Sequence, residues 1–196
     1  MVSTRMPVDP LAVFMSQGSQ VWPEDLRYKI CENLKAAGVL IPIIEYSNNL
    51  SILLTQRSAD LKNHAGEISF PGGCMESIDT DIRETALRET YEEVGIRPEQ
   101  IDISGYLQPM LTMSGYAVTA IVGVIQPYMA LKLDRSEVED VFEVPLSFFL
   151  EERNQQLSER EVHGVTIQIV EFNFGDMRIW GATANMLVAL RNILLL

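Results

Sequence analysis

Three glutamates, Glu89, Glu92 and Glu93, stand at i, i+3 and i+4 in the run Arg88-Glu89-Thr90-Tyr91-Glu92-Glu93-Val94-Gly95-Ile96. On a helix that spacing gathers all three side chains on one face within a single turn. Carboxylates so crowded repel one another, and the pattern has two readings. It is either a solvated acidic face or a set of hard oxygen ligands for Mg2+ or Mn2+, whose charge would relieve the repulsion. Leu87, Tyr91 and Val94 fall on the other side and are expected to anchor the helix on the core. Arg88, four residues after Glu84 and four before Glu92, either forms surface ion pairs or holds a glutamate in a metal-binding rotamer.

The elements that must position these groups are legible around them. A charged stretch over residues 80–94 follows the break Pro71-Gly72-Gly73, contains neither Gly nor Pro, and ends at Gly95, a natural left-handed stop; it predicts a helix. Upstream, residues 38–46 and 51–57 are apolar, partly β-branched and separated by Ser47-Asn48-Asn49, which predicts a strand pair. Residues 101–107, 116–126 and 165–174 read as further strands, 145–152 as a short helix, and 179–196 as a closing apolar helix. A helix over residues 23–35 is expected from Pro23 in the first turn and from Leu26, Ile30 and Leu34 at every fourth position. Residues 1–20, with Pro7 and Pro10 and no sustained periodicity, read as an N-terminal arm, either packed on the domain or a mobile tail. Residues 21–196 then form a single domain, of α+β class, because strands and helices mix without a βαβ rhythm.

Composition narrows the chemistry. The chain has 196 residues, 47% of them hydrophobic, enough for one domain with a substantial core. A net charge of −12 and a pI near 4.6 argue against a nucleic-acid partner, since no basic surface is available to displace counterions. An anionic substrate would need its positive charge from elsewhere, and a divalent metal is the obvious source. Cys31 and Cys74 make no zinc spacing or disulfide framework, so they read as thiols in a reducing compartment. No segment approaches the ~18 apolar residues of a membrane span, and the expectation is a cytoplasmic protein without membrane partners.

Gly73, five residues, Asp79, eight residues and then the run Arg88–Ile96 resemble the Nudix box, G-x5-E-x7-R-E-U-x-E-E-x-G-U with U a bulky aliphatic residue. There are three departures: one extra residue before the arginine, Asp79 in place of glutamate, and Thr90 at an aliphatic position. The upstream run Leu53-Leu54-Thr55-Gln56-Arg57-Ser58-Ala59-Asp60-Leu61-Lys62-Asn63-His64-Ala65-Gly66-Glu67-Ile68-Ser69-Phe70-Pro71-Gly72-Gly73 is more specific. It is similar to the LLTxRSxxLxxHxGxxxFPGG signature of the coenzyme A pyrophosphatase branch of Nudix hydrolases, which often carries the aspartate and the extra residue too. Ser114-Gly115-Tyr116, Glu137-Val138, Val141-Phe142-Glu143-Val144-Pro145-Leu146 and Ile179-Trp180-Gly181-Ala182-Thr183-Ala184 extend the likeness from about Ile41 to the C-terminus. Ala120 stands where proline, and Cys74 where a basic residue, is common in that branch.

The resemblance implies an α/β/α sandwich around a mixed sheet, with a loop-helix-loop presenting Mg2+ or Mn2+ to a nucleotide pyrophosphate. It implies cleavage of coenzyme A or a derivative to 3′,5′-ADP and a 4′-phosphopantetheine product; another nucleoside diphosphate derivative is the alternative substrate, and a non-catalytic Nudix-like module a further one. A homodimer is compatible with it. Gly73, Asp79, Glu89, Glu92 and Glu93 become the expected metal-binding set, with Arg88 beside them. The general base is expected to be a glutamate, either in the box or in a loop such as Glu137, which reads equally as an exposed loop acid.

Arg57, Ser58, Lys62, His64, Gly72 and Gly73 become the expected substrate-binding set. Arg57 and Lys62 either pair with phosphates or balance nearby acids. His64 contacts substrate or makes structural hydrogen bonds, and the two glycines either admit a phosphate or only shape the turn. Glu67 either joins the metal or pairs with a cation. Phe70 and Trp180 read as core aromatics, and His163 as structural or exposed.

Overall fold

The computed structural model describes residues 34–162 and 165–196. The expected arm over residues 1–20, most of the expected helix over 23–35, Cys31 and His163 lie outside the described residues.

Strand β1 (Lys35–Glu45) has apolar side chains at successive positions, and its Leu40 and Ile41 are both fully buried. A strand buried on both faces belongs inside a sheet covered on both sides. β1 accordingly pairs in parallel with β7 (Tyr116–Ile125) and antiparallel with β2 (Leu50–Arg57). The large mixed sheet also contains β3 (Ile68–Ser69), β4 (Gly72–Cys74), β5 (Ile101–Tyr106), β6 (Met110–Leu111) and β8 (Val138–Pro145). Its main order is β3-β2-β1-β7-β5, with β4 on β1, β6 on β7 and β8 on β2.

Two cores flank this sheet. On one face Leu40, Ile44, Leu53, Ile121 and Ile125 pack with Ala86 and Val94 of helix α1 (Ile82–Val94). On the other, Ile41, Ile43, Ile52, Leu54 and Val122 pack with helices α2 (Leu146–Leu150) and α3 (Gly181–Leu194) through Phe149, Leu187 and Leu190. A small antiparallel sheet of β9 (Gln155–Val162), β10 (Val165–Phe174) and β11 (Met177–Trp180) contributes Phe172 and Ile179 to that second core. Phe148, Phe149 and Phe172 meet edge to face there, the last two with ring centroids 5.3 Å apart. The α+β sandwich expected from the sequence is the fold observed.

Helix α1 starts two residues later than expected. Asp81 caps it, its carboxylate accepting from the Glu84 amide at 2.9 Å, while Glu84 reaches back to accept from the Thr80 amide at 2.9 Å. Gly95 ends it in the left-handed conformation at φ 77°, donating to the Tyr91 carbonyl. The anchoring face is the expected one only in part, since Val94 and Leu87 pack on the core and Tyr91 does not. Ile82, Thr85, Ala86, Thr90, Glu93 and Val94 are buried, whereas Tyr91 is 53% exposed and Leu87 only half-buried. The row 82-86-90 sets the rotation of the helix, and Thr90 can join it because its hydroxyl donates to the Ala86 carbonyl at 2.6 Å, leaving no unpaired buried donor.

Lys35, expected at the end of a helix, opens β1 instead, and Ile179 and Trp180, expected in the last helix, close β11.

Candidate active site

Helix α1 crosses β1 and β4, so the turn before β4 and the acidic face of the helix meet. Glu93 lies deepest of the three helix glutamates, its side chain 3% exposed. Its Oε2 accepts from the Gly72 amide at 3.2 Å, and its Oε1 is 3.9 Å from Nη1 of Arg57 at the end of β2. Burial nonetheless wins and pushes its pKa up to about 8, because the amide and the distant guanidinium do not replace lost water. Glu89 is also raised, first by burial, against the pull of Arg88. Gly73 runs directly beneath it: a Cβ there would stand 2.5 Å from the Glu89 carboxyl carbon, closer than side chains tolerate.

A third carboxylate arrives from the loop before β8. Single oxygens of Glu89, Glu93 and Glu137 all lie within 4.8 Å of one another. Three carboxylates, the two on the helix with pKa values raised chiefly by burial, are an oxygen-only donor set, which suits a hard divalent cation. Glu89 and Glu93 of the expected metal-binding set are thus brought together over Gly73, and Glu137 is added.

Asp79 and Glu92 are placed differently, both bound by Arg88. The Arg88 guanidinium grips Asp79 in a fork, Nε to Oδ1 at 2.9 Å and Nη2 to Oδ2 at 3.0 Å. Its Nη1 donates to Glu89 at 3.0 Å and to Glu92 at 2.9 Å, and Nη2 to the Cys74 carbonyl at 3.3 Å. Asp79 also accepts from the Glu76 amide and the Thr85 hydroxyl, and Arg88 holds its pKa down at about 2. With both oxygens engaged and its side chain 2% exposed, Asp79 anchors Arg88 and lies outside the carboxylate cluster. Glu92, with its side chain 53% exposed, stands at the rim.

The expected substrate-binding residues divide. Arg57 faces the cluster, and its Nε is buried without a hydrogen-bond partner. Ser58 is 2% exposed; its amide donates to the Glu137 carbonyl at 2.8 Å and its hydroxyl accepts from the Asp60 amide at 3.3 Å, so it braces the loops. Lys62 is exposed. His64 adopts φ 57° in a turn, with its Nδ1 2.9 Å from the Glu67 carboxylate. Phe70 is core, 3% exposed.

Trp180 is only half-buried, with the Arg160 and Arg178 guanidinium carbons 5.1 and 5.4 Å from its ring centre. It lines a cavity of about 430 Å3 with Gln56, Ala65, Gly66, Glu67, Ile68, Phe142, Asp176, Met177 and Arg178. Sequence reasoning missed this cavity, because its lining is assembled from three separate stretches of chain, residues 56–68, Phe142 and residues 176–180. It also missed the Asp134-Arg135-Ser136 turn leading to Glu137, although an aspartate two residues before a serine is a readable turn signal.

The NUDIX domain model matches residues 34–165. The uncharacterized Nudix hydrolase NudL of Photorhabdus laumondii is 37% identical over 159 residues, 81% of this chain and 84% of its own length. The NudL of Citrobacter koseri is 39% identical over 159 residues, covering 79% of this chain and 80% of its own length. Among solved structures, a MutT/nudix family protein from Enterococcus faecalis has a TM-score of 0.52 at 16% identity, covering 94% of this chain and 73% of its own length. The chain belongs to the Nudix family and is a Nudix hydrolase, a class of enzymes that generally use divalent metal ions. Among the described residues no helix is long and apolar enough to cross a membrane.

Proposed function

We propose that the enzyme hydrolyses the pyrophosphate of coenzyme A or a coenzyme A derivative, releasing 3′,5′-ADP and a 4′-phosphopantetheine product, with Mg2+ or Mn2+ as cofactor. One observation carries the reading: the run Leu53–Gly73, the part of the sequence most like the coenzyme A pyrophosphatase branch, forms the edge of the carboxylate site and one wall of the cavity together. Arg57, Gly72 and Gly73 touch or approach Glu93 and Glu89, while Gln56, Ala65, Gly66, Glu67 and Ile68 line the cavity. Phe142 and Trp180 in the walls of this half-open pocket give the organic part of a nucleotide aromatic faces to lie against.

Glu89 and Glu93 would hold the cation, with Glu92 at the rim. A divalent ion there supplies Lewis acidity and neutralises charge on the pyrophosphate. Arg57, whose guanidinium approaches Glu93, brings positive charge to the edge of the site where a phosphate would lie. Glu137, the carboxylate supplied from a different element, would offer one oxygen to the cation beside Glu89 and Glu93 and take the proton of the attacking water on the other. Asp79 acts through Arg88, which fixes the Glu89 rotamer.

The test is to incubate the protein with coenzyme A and either metal and to separate the products. Formation of 3′,5′-ADP and 4′-phosphopantetheine is expected. Brisk turnover of ADP-ribose or a dinucleoside polyphosphate with none of coenzyme A would overturn the substrate and keep the enzyme class.

A further inference from the structure

The carboxylate of Glu137 comes from a loop, and a loop residue holds a defined position only if its backbone is tied down. Here the ties are specific. The Asp134 amide donates to the Glu93 carbonyl at 3.0 Å, and the preceding Lys132 amide donates to the Val94 carbonyl at 3.0 Å. The loop therefore satisfies carbonyls at the C-terminal end of α1, which the helix itself leaves unpaired. From Asp134 the tie continues to Glu137: the Asp134 carbonyl accepts from the Glu137 amide at 3.0 Å and from the Val138 amide at 2.8 Å. The Asp134 side chain closes the turn between them, its Oδ1 accepting from the Ser136 amide at 2.9 Å and the Ser136 hydroxyl at 2.7 Å. On its other side Glu137 is clamped through its carbonyl by the Ser58 amide.

We propose that Asp134 is a positioning residue, whose side-chain turn with Ser136 hangs Glu137 from the backbone of Glu93 and so fixes the spacing of the carboxylates contributed by the loop and the helix. The same residue that bears the deepest carboxylate of the cluster, Glu93, provides the carbonyl from which the opposing carboxylate is hung. A displacement of α1 then carries Glu137 with it, and the cluster moves as one body. Without the side-chain turn, the backbone bonds at Asp134 and the clamp to Ser58 remain, but the turn loses both of its bonds to Ser136 and lets Glu137 sample positions away from Glu89 and Glu93. This inference rests on Glu137 serving the site, as proposed above, but not on the identity of the substrate.

The experiment uses the full chain and compares Asp134→Ala, Asp134→Asn, Ser136→Ala and Glu137→Gln. Mn2+ binding is measured by calorimetry, kcat and KM with coenzyme A, and Tm in parallel. Asp134→Ala is expected to weaken Mn2+ binding about tenfold and to lower kcat by a similar factor, with KM changed less than about twofold, as for loss of a group that orients a ligand. Asp134→Asn keeps an oxygen that accepts both bonds from Ser136, and should recover Mn2+ binding to within about threefold of the parent. Ser136→Ala, which retains the amide bond, should fall between them even where Asp134→Ala fails to fold. A residue that only stabilised the fold would lower Tm and leave Mn2+ affinity intact. Parental Mn2+ affinity in Ser136→Ala and Asp134→Ala, beside impaired Glu137→Gln, would overturn the inference; so would an Asp134→Asn as impaired as Asp134→Ala. Parental behaviour of Glu137→Gln would overturn the place of Glu137 in the site, and the inference with it.

Discussion

At Gly73 the main chain passes so close to Glu89 that one added methyl group would stand 2.5 Å from its carboxyl carbon. The atoms in conflict are the end of a flexible side chain, so Gly73→Ala should displace Glu89 and leave the fold almost untouched. Misplacing a group at the reacting centre by about 1 Å costs on the order of 100-fold in rate. The expected result is therefore a loss of that order in kcat with Tm within a few degrees of the parent. Equal losses in stability would show that the turn, and not Glu89, needs the glycine. Asp79 acts by a different route, its buried fork with Arg88 being worth about 2 kcal/mol as a set of charge-assisted hydrogen bonds. Its folded pKa of about 2 lies below the ordinary 3.8, so its contribution is present above pH 3.8 and is lost as pH falls toward 2. Urea titrations at pH 7 should find Asp79→Asn less stable by about that amount, and the difference should shrink in acid. A constant difference down to pH 2 would mean that Asp79 acts through something other than its charge.

On the scale of elements, helix α1 shows what a sequence reveals and what it hides. Its existence, its stop at Gly95 and the gathering of Glu89 and Glu93 follow from period and chemistry in the sequence. Its rotation does not, because Thr90 and Glu93 are polar by type and buried in fact, each satisfied by a local partner. β8 escaped notice because Val138-Glu139-Asp140-Val141-Phe142-Glu143 does not alternate, and its pairing with β2 shifts register between Gln56 and Arg57. β9 escaped because Gln155–Val162 is mostly polar and forms an exposed edge strand of the small sheet, even its Leu157 remaining exposed. Glu137 could be nominated from the sequence, yet it reaches a helix more than forty residues upstream only through the pairing of β8 with β2 and the bonds of its loop to the end of α1. The departure at Thr90 now has a physical account and a test. Thr90→Val keeps the shape and removes a hydroxyl bonded to a carbonyl already used by the helix. Stability should change by less than about 1 kcal/mol, and activity should hold. A loss of several kcal/mol would show that the 2.6 Å bond to Ala86 does more than satisfy a donor.

For the whole molecule, the acidic character and the buried carboxylates predict how stability responds to pH when no metal is supplied. The chain carries a net charge of −12, so each further ionisation in the folded state adds to its self-repulsion. Glu93 is the group that matters most, since its pKa rises from 4.5 in the unfolded chain to about 8 when folded. Between those values the folded chain holds a proton that the unfolded chain has released. The unfolded state therefore gains as pH rises, and stability falls from about pH 4.5 until it levels above about pH 8. Melting in EDTA from pH 5 to 8.5 should show Tm declining across that window. Glu93→Gln, which cannot ionise, should flatten the decline. Mn2+ should raise Tm most at the alkaline end, because a cation that needs the ionised carboxylate competes there with fewer protons. A flat Tm in EDTA, or an equal Mn2+ effect at pH 5 and pH 8, would mean that Glu93 is already ionised in the folded chain and that its burial is relieved by groups other than a metal.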